Sequence, residues 1–264
     1  MKVNIAGVLV DNVSKDEAVE AVSSLVRSRE PGYIVTPYSE MIVFALNNPQ
    51  YKNVLNNAAM AIPDGIGILW AAKYLSSKNI NILGSLLAIL FRPQYIQSII
   101  KERVTGSRLI YDIAKMATEN NYSLSLIGGN DNVAVQSARE LKKLYPNLKV
   151  NLALSGRSFD AKMRDEIAAS NSDILLIAYS PPKQEMWLAE NLSKLNVKAA
   201  IGLGGTFDYI AEKHPPAPNF AHYLGLEWLW RLITQPRRWK RMWKAVPVFI
   251  WKIYKYKINS RLAG

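Results

Sequence analysis

The stretch DILLIAYSPPKQEMWLAENLSK, residues 173–194, contains one complete strand–loop–helix unit. The apolar run at 173–179 predicts a buried strand, which the loop YSPPKQE at 179–185 ends. Apolar residues at helical spacing follow at 183–194. A nearly continuous apolar strand followed by a helix is typical of a parallel sheet with helices on its faces. This unit therefore predicts an α/β fold.

The same unit recurs along the chain. We predict strands near 3–10, 33–36, 58–62, 122–127, 148–154, 173–179 and 198–203. We predict helices near 14–28, 39–48, 65–75, 107–120, 131–145, 160–170 and 183–194. This alternation predicts an open, mostly parallel, Rossmann-like sheet flanked by helices. Because tryptophan and arginine dominate near the carboxyl end and no strand is predicted there, we expect a sheet domain at 1–219 and a helical appendage at 220–264.

The positive charge of the chain belongs to that appendage. The 264 residues carry a net charge of +12, but residues 228–264 hold ten Lys or Arg and no acidic residue. The absence of cysteine excludes disulfides, thiolate metal sites and cysteine nucleophiles, which suits a reducing compartment. We expect no signal peptide, and no uncharged apolar run reaches the roughly 20 residues needed to cross a bilayer.

Five polar loops, rich in glycine or proline, each follow a predicted strand: TPYSE (36–40), PDGIG (63–67), IGGN (127–130), YSPPKQE (179–185) and GLGGTFD (202–208). The carboxyl ends of parallel strands share one edge of a sheet, where ligands of open α/β folds bind. Glycine lets backbone N–H groups approach a phosphate, which indicates a nucleotide, although glycine also serves ordinary turns. Neither GxGxxG nor GxxxxGK[ST] occurs, which disfavours dinucleotide redox enzymes and P-loop hydrolases.

These loops lie in six stretches that together resemble the WecG/TagA/CpsF glycosyltransferase family: TPYSEMIVFALNNPQY, AIPDGIGILWAAKYL, ERVTGSRLIYDIA, LIGGND, SPPKQEMW and GLGGTFDYIAEKHPPAP. They stand in the family's order and cover most of residues 3–218. The resemblance implies transfer of N-acetylmannosamine from its UDP conjugate to the C4 hydroxyl of undecaprenyl-diphosphate-linked N-acetylglucosamine, with inversion, in wall teichoic acid or related polysaccharide synthesis. It also implies work without a cofactor, at the cytoplasmic face of the bacterial membrane. Relatives that use N-acetylmannosaminuronic acid or glucose leave the donor sugar open.

Asp64, in the PDG turn, matches the position of the family's general base, which would take a proton from the attacking hydroxyl. A carboxylate there also suits a cap for the helix that follows. Thr36 matches a substrate-facing hydroxyl, with a strand-ending threonine bonded to backbone as the alternative. His214 and His222 are weaker candidates for the base.

The resemblance assigns further residues to substrate binding: Tyr38, Arg103, Gly128, Gly129, Asn130, Pro181, Gln184, Gly204, Gly205 and Asp208. Tyr38 stands where the family usually has asparagine, so this chain offers a hydroxyl in place of an amide. Arg103 suits a diphosphate or a solvated surface, and helix-terminal roles are the alternative for Gln184 and Asp208. No Asp-x-Asp pair is present to hold a divalent ion, so we expect no metal.

Between Leu75 and ERVTG the chain carries about twenty residues more than the family's typical pattern, within 76–101. Leu83, Leu86, Leu87, Leu90 and Phe91 fall on one helical face there. This predicts an element that contacts lipid, with a packed lid or an oligomer contact as the alternative. The oligomeric state stays open, and a homo-oligomer is one reading.

The appendage contains QPRRWKRMWK, residues 235–244. Trp239, Trp243, Val246 and Ile250 make an apolar stripe at helical spacing. Because no nucleic-acid-binding motif accompanies the stripe, it favours an anionic membrane surface over nucleic acid. The residues expected at the membrane are Arg237, Trp239, Lys240, Trp243 and Lys244.

Three tail arginines, Arg231, Arg238 and Arg241, match the family's functional arginines. We expect at least one of them to meet the leaving diphosphate as the appendage closes the cleft. A nucleotide- or nucleic-acid-binding regulator without catalysis is the competing class.

Overall fold

A computed structural model of the chain describes residues 1–78, 81–156, 159–211, 218, 227–236 and 239–262. It begins with an antiparallel hairpin of β1 (Lys2–Ile5) and β2 (Val8–Asp11), separate from the main sheet. The prediction of one strand at 3–10 is therefore wrong. Ala6 and Gly7 form a tight turn with φ values of 53° and 93°, hidden inside an apolar run.

The main sheet has six strands, all parallel, in the order β4-β3-β8-β7-β5-β6. They are β3 (Gly32–Val35), β4 (Met60–Ala61), β5 (Ser123–Gly128), β6 (Lys149–Leu154), β7 (Ile174–Ala178) and β8 (Ala199–Gly202). The parallel sheet confirms the predicted fold class, and each strand lies within a few residues of its predicted bounds.

Each of the seven predicted helices is present within a few residues of its expected bounds. They are α1 (Lys15–Arg27), α2 (Ser39–Asn47), α4 (Ile66–Ser76), α7 (Gly106–Glu119), α8 (Val133–Leu144), α9 (Ala161–Ala169) and α10 (Lys183–Asn191). One helix, α3 (Pro49–Asn56), was not predicted. Its signal was present, because Asn48 caps the helix by accepting a hydrogen bond from the Tyr51 N–H at 3.0 Å and Pro49 occupies the first turn.

Further helices complete the described fold: α5 (Ile82–Phe91) and α6 (Pro93–Ile96) within residues 76–101, α11 (Phe207–Ile210), and the tail helices α12 (Glu227–Thr234), α13 (Trp239–Trp243) and α14 (Phe249–Leu262). A π-helical turn, Lys244–Val248, joins α13 to α14. Within the described residues, no helix combines the length and the hydropathy needed to span a bilayer.

Both faces of the sheet are buried, as the alternation along β7 illustrates. Leu176 and Ala178 pack with α1, α7, α8 and α11, whereas Leu175 and Ile177 pack with α9 and α10. A further core joins the hairpin to α2, α3, α4 and the end of the tail. The tail is therefore packed into the body of the protein.

The last helix is held by both apolar and polar contacts. Phe249 and Ile253 are fully buried. The Lys257 ammonium donates hydrogen bonds to the Tyr74 carbonyl and, at 2.7 Å, to the Ser77 carbonyl at the end of α4. A cation beside the last carbonyls of a helix is favoured electrostatically. Burial lowers the pKa of Lys257.

The stripe predicted along the tail is wrong in part. Trp239 and Trp243 are exposed, whereas Val246 and Ile250 line an interior cavity. The π-helical turn contains Pro247, which has no N–H to donate to an earlier carbonyl. The widened turn shifts the helix phase, so the exposed aromatic row continues to Trp251 rather than to Ile250.

Candidate active site

A cavity of about 400 Å³ lies at the carboxyl ends of β3, β4, β7 and β8. Loops after the strands supply most of its polar lining, and α4, α5 and the tail supply most of its apolar lining. The predicted site residues that line it are Thr36, Tyr38, Asp64, Arg103, Pro181, Gln184, Gly204, Gly205 and Arg241. The residues on the apolar side include Trp70, Leu86, Ile89, Trp228, Met242, Ala245, Val246, Phe249 and Ile250.

Asp64 lies in the loop between β4 and α4. Its backbone N–H donates to the Pro37 carbonyl at 3.0 Å, which ties this loop to the loop after β3. The N-cap position of α4 belongs to Gly65, so Asp64 does not occupy the cap position that was its alternative assignment. The carboxylate lines the cavity.

The Thr36 hydroxyl donates to the Gly202 carbonyl at 2.9 Å and is buried. This bond joins the end of β3 to the end of β8, which agrees with the backbone-bonded alternative. The hydroxyl oxygen can still accept a hydrogen bond, because only its donor function is used.

Gln184 joins two loops at the floor of the cavity. Its side-chain oxygen accepts from the Tyr179 N–H at 2.9 Å and from the Gly204 N–H at 3.2 Å. Its amide nitrogen donates to Glu185 Oε1 at 2.7 Å. The Gln184 side chain therefore holds the glycine loop after β8 against the loop after β7.

Glu185 lines the same floor and was not identified from the sequence. It is 1% exposed, and the Tyr51 hydroxyl donates to its Oε2 at 3.1 Å. Burial raises the pKa of Glu185, although its hydrogen bonds oppose the shift. Burial, together with the same carboxyl, raises the pKa of Tyr51. Glu185 differs from the surface acidic residues in being buried, and the local sequence does not indicate that burial.

Arg241 reaches the cavity from α13 and binds the loop after β3. Its Nε donates to Glu40 Oε2 at 2.6 Å, and its Nη2 donates to the Tyr38 hydroxyl. The guanidinium also lies 5.6 Å from the centroid of the Tyr38 ring. The Tyr38 hydroxyl in turn donates to Glu40 Oε2 at 3.2 Å.

The electrostatics of this group follow from burial. The side chains of Arg241 and Glu40 are 26% and 10% exposed. Burial opposes the charge on Arg241, but Tyr38 and Glu40 outweigh it and raise the pKa of the arginine. Burial also raises the pKa of Tyr38, so its hydroxyl keeps its proton. Sequence reasoning identified Arg241 and Tyr38 but missed Glu40.

Thr105 is a further residue that was missed. It lies at the N-cap of α7 and lines the cavity, but its Oγ1 is buried without a hydrogen-bond partner among the described residues. Among the residues that the structure describes, no three His, Cys, Asp or Glu side chains form a group suited to a metal ion. The expectation of metal-free chemistry stays a prediction.

Comparison with known proteins shows the family of the chain. The model of the glycosyl transferase WecG/TagA/CpsF family matches residues 3–90 and 80–263. The chain belongs to this family. The resemblance found in the sequence is thereby confirmed. The two matched segments overlap at 80–90, inside the stretch where we identified extra residues.

Two relatives of this chain carry the name of a specific enzyme. An N-acetylglucosaminyldiphosphoundecaprenol N-acetyl-beta-D-mannosaminyltransferase of Bacillus spizizenii strain W23 is 27% identical over 229 residues, which cover 86% of this chain and 80% of the relative. A protein of the same name from Staphylococcus aureus strain MRSA252 is 25% identical, covering 99% of this chain and 96% of the relative.

Several residues assigned through the WecG/TagA/CpsF resemblance lie outside the cavity. Gly128, Gly129, Asn130 and Asp208 do not line it. Gly128 has a separate reason to be glycine, because with its φ of 132° a Cβ atom would lie 2.4 Å from the Ala178 carbonyl oxygen on neighbouring β7.

Of the tail residues predicted to belong to the site or the membrane surface, Arg241 lines the cavity and others do not. Trp239, Lys240, Trp243 and Lys244 are exposed and lie outside the cavity. The candidates outside the described part of the chain are Arg237, Arg238, His214, His222 and the side chain of Arg231.

Proposed function

We propose that the chain is an inverting glycosyltransferase. It moves N-acetylmannosamine from UDP-N-acetylmannosamine to undecaprenyl-diphosphate-linked N-acetylglucosamine, with a β-1,4 linkage. One observation carries the proposal: a single cavity at the carboxyl edge of the sheet brings together a carboxylate, Asp64, and the guanidinium groups of Arg103 and Arg241. The family membership and the names of the relatives support the substrates.

In the proposed reaction Asp64 is the general base. It takes the proton from the C4 hydroxyl of the acceptor as that oxygen attacks the anomeric carbon of the donor. The bond from the anomeric carbon to the UDP oxygen breaks at the same time, which inverts the configuration. The negative charge that develops on the departing UDP requires a nearby cation.

Arg241 is suited to meet that charge. Its Nε and one of its terminal nitrogens hold Glu40 and Tyr38, which fixes the plane of the guanidinium at the cavity wall. An arginine has five N–H donors, so further donors remain for a phosphate oxygen. Arg103 lines the same cavity and is the second candidate.

The acceptor lipid requires a membrane, and we propose that the tail rests on one, at the cytoplasmic face. Trp239, Trp243 and Trp251 are each more than half exposed. Lys240 lies 5.6 Å from the Trp239 ring centroid, and Lys255 lies 5.3 Å from that of Trp251. Tryptophan beside lysine suits the headgroup region of an anionic bilayer.

The test is release of UDP from UDP-N-acetylmannosamine in the presence of a soluble lipid-diphosphate-N-acetylglucosamine analogue. We expect Asp64→Asn to lower turnover by about 10²–10⁴-fold, the usual contribution of a general base, with UDP affinity unchanged. The surface variant Asp165→Asn is the control and keeps full turnover. Near-normal turnover by Asp64→Asn would remove this residue from the base role. Parallel reactions with UDP-N-acetylmannosaminuronic acid and UDP-glucose test the donor.

A further inference from the structure

The helix α5 has an apolar surface toward the cavity. Its sequence, ILGSLLAILF, contains no charged residue. Leu86 and Ile89 line the cavity beside Asp64 and Arg241. The Trp70 indole N–H donates to the Ser85 hydroxyl at 3.0 Å, which fixes α5 against α4. The inner face of α5 is therefore a built part of the site.

The outer face of the same helix is apolar as well. Leu83, Leu87 and Phe91 are 71%, 56% and 76% exposed. They are spaced four residues apart and so form one row along the helix. A helix that is apolar on both sides requires an apolar environment on both. The single apolar face predicted for this helix is thus divided. Leu86 lines the cavity, whereas Leu83, Leu87 and Phe91 are exposed, and the side chain of Leu90 lies outside the described part of the structure.

The cavity joins two kinds of wall. Asp64, Arg103 and Arg241 supply charged groups to its lining. Val246 and Ile250 of the tail, with Leu86 and Ile89 of α5, supply apolar ones. A nucleotide sugar offers such a wall only the faces of its base and the methyl group of its acetyl substituent. The proposed acceptor is an amphiphile, with a sugar diphosphate head and an isoprenoid chain.

We propose that Leu86 and Ile89 of α5, together with Val246 and Ile250 of the tail, form a subsite for the isoprene units next to the acceptor diphosphate. The inference rests on the proposed function. The head of the acceptor occupies the polar side, and the chain leaves across the apolar side. The outer row of α5 contacts the bilayer from which the lipid comes.

The first experiment measures how chain length affects the acceptor. Soluble N-acetylglucosamine diphosphates that carry a methyl group or three isoprene units are compared without membrane, below the concentration at which micelles form. We expect the three-unit acceptor to have a KM at least about tenfold lower, the ratio that burial worth about 1.4 kcal/mol gives. Leu86→Asn and Ile89→Asn lose most of this ratio.

Leu83→Asn is the matched control, since it changes the same residue type on the outer face of the same helix. It keeps the KM ratio but binds anionic vesicles more weakly. Leu86→Met keeps an apolar side chain and restores the ratio. The proposal is overturned if the wild-type KM does not depend on chain length. It is also overturned if Leu83→Asn reduces the ratio as much as Leu86→Asn does.

A binding measurement separates this inference from the proposed function. Farnesyl diphosphate is titrated into the protein without donor, and we expect Leu86→Asn to weaken binding at least about tenfold while UDP affinity is kept. If no acceptor is glycosylated but this loss is found, the proposed reaction fails and the subsite stands. If farnesyl diphosphate does not bind and the wild type forms a dimer that Leu83→Asn dissociates, α5 is a contact between copies and the subsite is refuted.

Discussion

At the scale of single residues, the ion pair between Arg241 and Glu40 links the tail to the carboxyl edge of the sheet. Both side chains are largely buried, and their closest atoms are 2.6 Å apart. Removing one member of a buried pair leaves an uncompensated charge, which costs about 3–5 kcal/mol. Tyr38 completes the group, because its hydroxyl accepts a hydrogen bond from Arg241 and donates one to Glu40.

We expect Glu40 to act through Arg241 and therefore to be a positioning residue. Glu40→Gln should lower kcat by about 10–100-fold with little change in KM, because a neutral acceptor holds the guanidinium less firmly. Arg241→Lys should lower kcat further, since lysine lacks the planar fork. The double variant should be no worse than Arg241→Lys alone.

The measurement is kcat and KM for the four proteins of this cycle. Glu20→Gln is the control, because Glu20 pairs with Arg27 at 2.6 Å on the exposed surface, where such pairs contribute little. If the losses from Glu40→Gln and Arg241→Lys simply add, Glu40 contributes independently of the arginine and the positioning role is refuted.

At the scale of elements, the tail helices present one aromatic row to solvent and one apolar row to the cavity. Trp239, Trp243 and Trp251 make the outer row, and the π-helical turn keeps them aligned. The lysines that accompany them have no acidic neighbour in this part of the sequence. Such a surface combines burial of indole rings with attraction to anionic lipid.

Trp243→Glu should weaken binding to vesicles that contain anionic lipid by about tenfold or more, because it replaces an interfacial ring by a charge that the surface repels. Co-sedimentation at two salt concentrations measures this, and wild-type binding should fall at the higher one. Leu144→Glu is the control, since Leu144 on α8 is exposed to a similar extent. Equal binding by Trp243→Glu and wild type would refute the membrane role of this row.

At the scale of the whole molecule, local pattern predicted the elements well and their arrangement less well. Apolar period and capping signals are local, so the parallel strands and α1 with its capping box, Ser14 and Glu17, could be located. The hairpin turn at Ala6 was not, because it is masked by apolar neighbours. Nor were Glu40, Thr105 and Glu185, since burial of a polar side chain depends on which elements meet in three dimensions.

The family resemblance identified the loops but did not show which of them share one cavity. The strand order places the ends of β4, β3, β8 and β7 side by side, and their loops line the cavity. Gly128 and Gly129, at the end of β5, do not line it. The contribution of α5 was also beyond reach, because only its packing against Trp70 decides which of its leucines face inward.

The tail is integral to the stability of the molecule, which changes how its role can be tested. Phe249 and Ile253 are fully buried in the core that holds the hairpin, α2 and α4. Truncating a single buried Phe or Ile side chain costs about 2–5 kcal/mol, and a domain is stable by only about 5–15 kcal/mol. A protein that ends at residue 238 should therefore lose most of its stability as well as its activity.

Calorimetry should find the truncated protein unfolded, or melting far below the full chain. Removal of residues 262–264 is the control and should leave the melting temperature unchanged, because Leu262 is 82% exposed. If the protein that ends at residue 238 melts like the full chain, the tail is a separately docked lid, and its deletion becomes a valid assay of closure. Because the tail is part of the core, the effect of cavity closure can be separated from folding only by point variants such as Arg241→Lys. These variants leave Phe249, Ile253 and Lys257 in place.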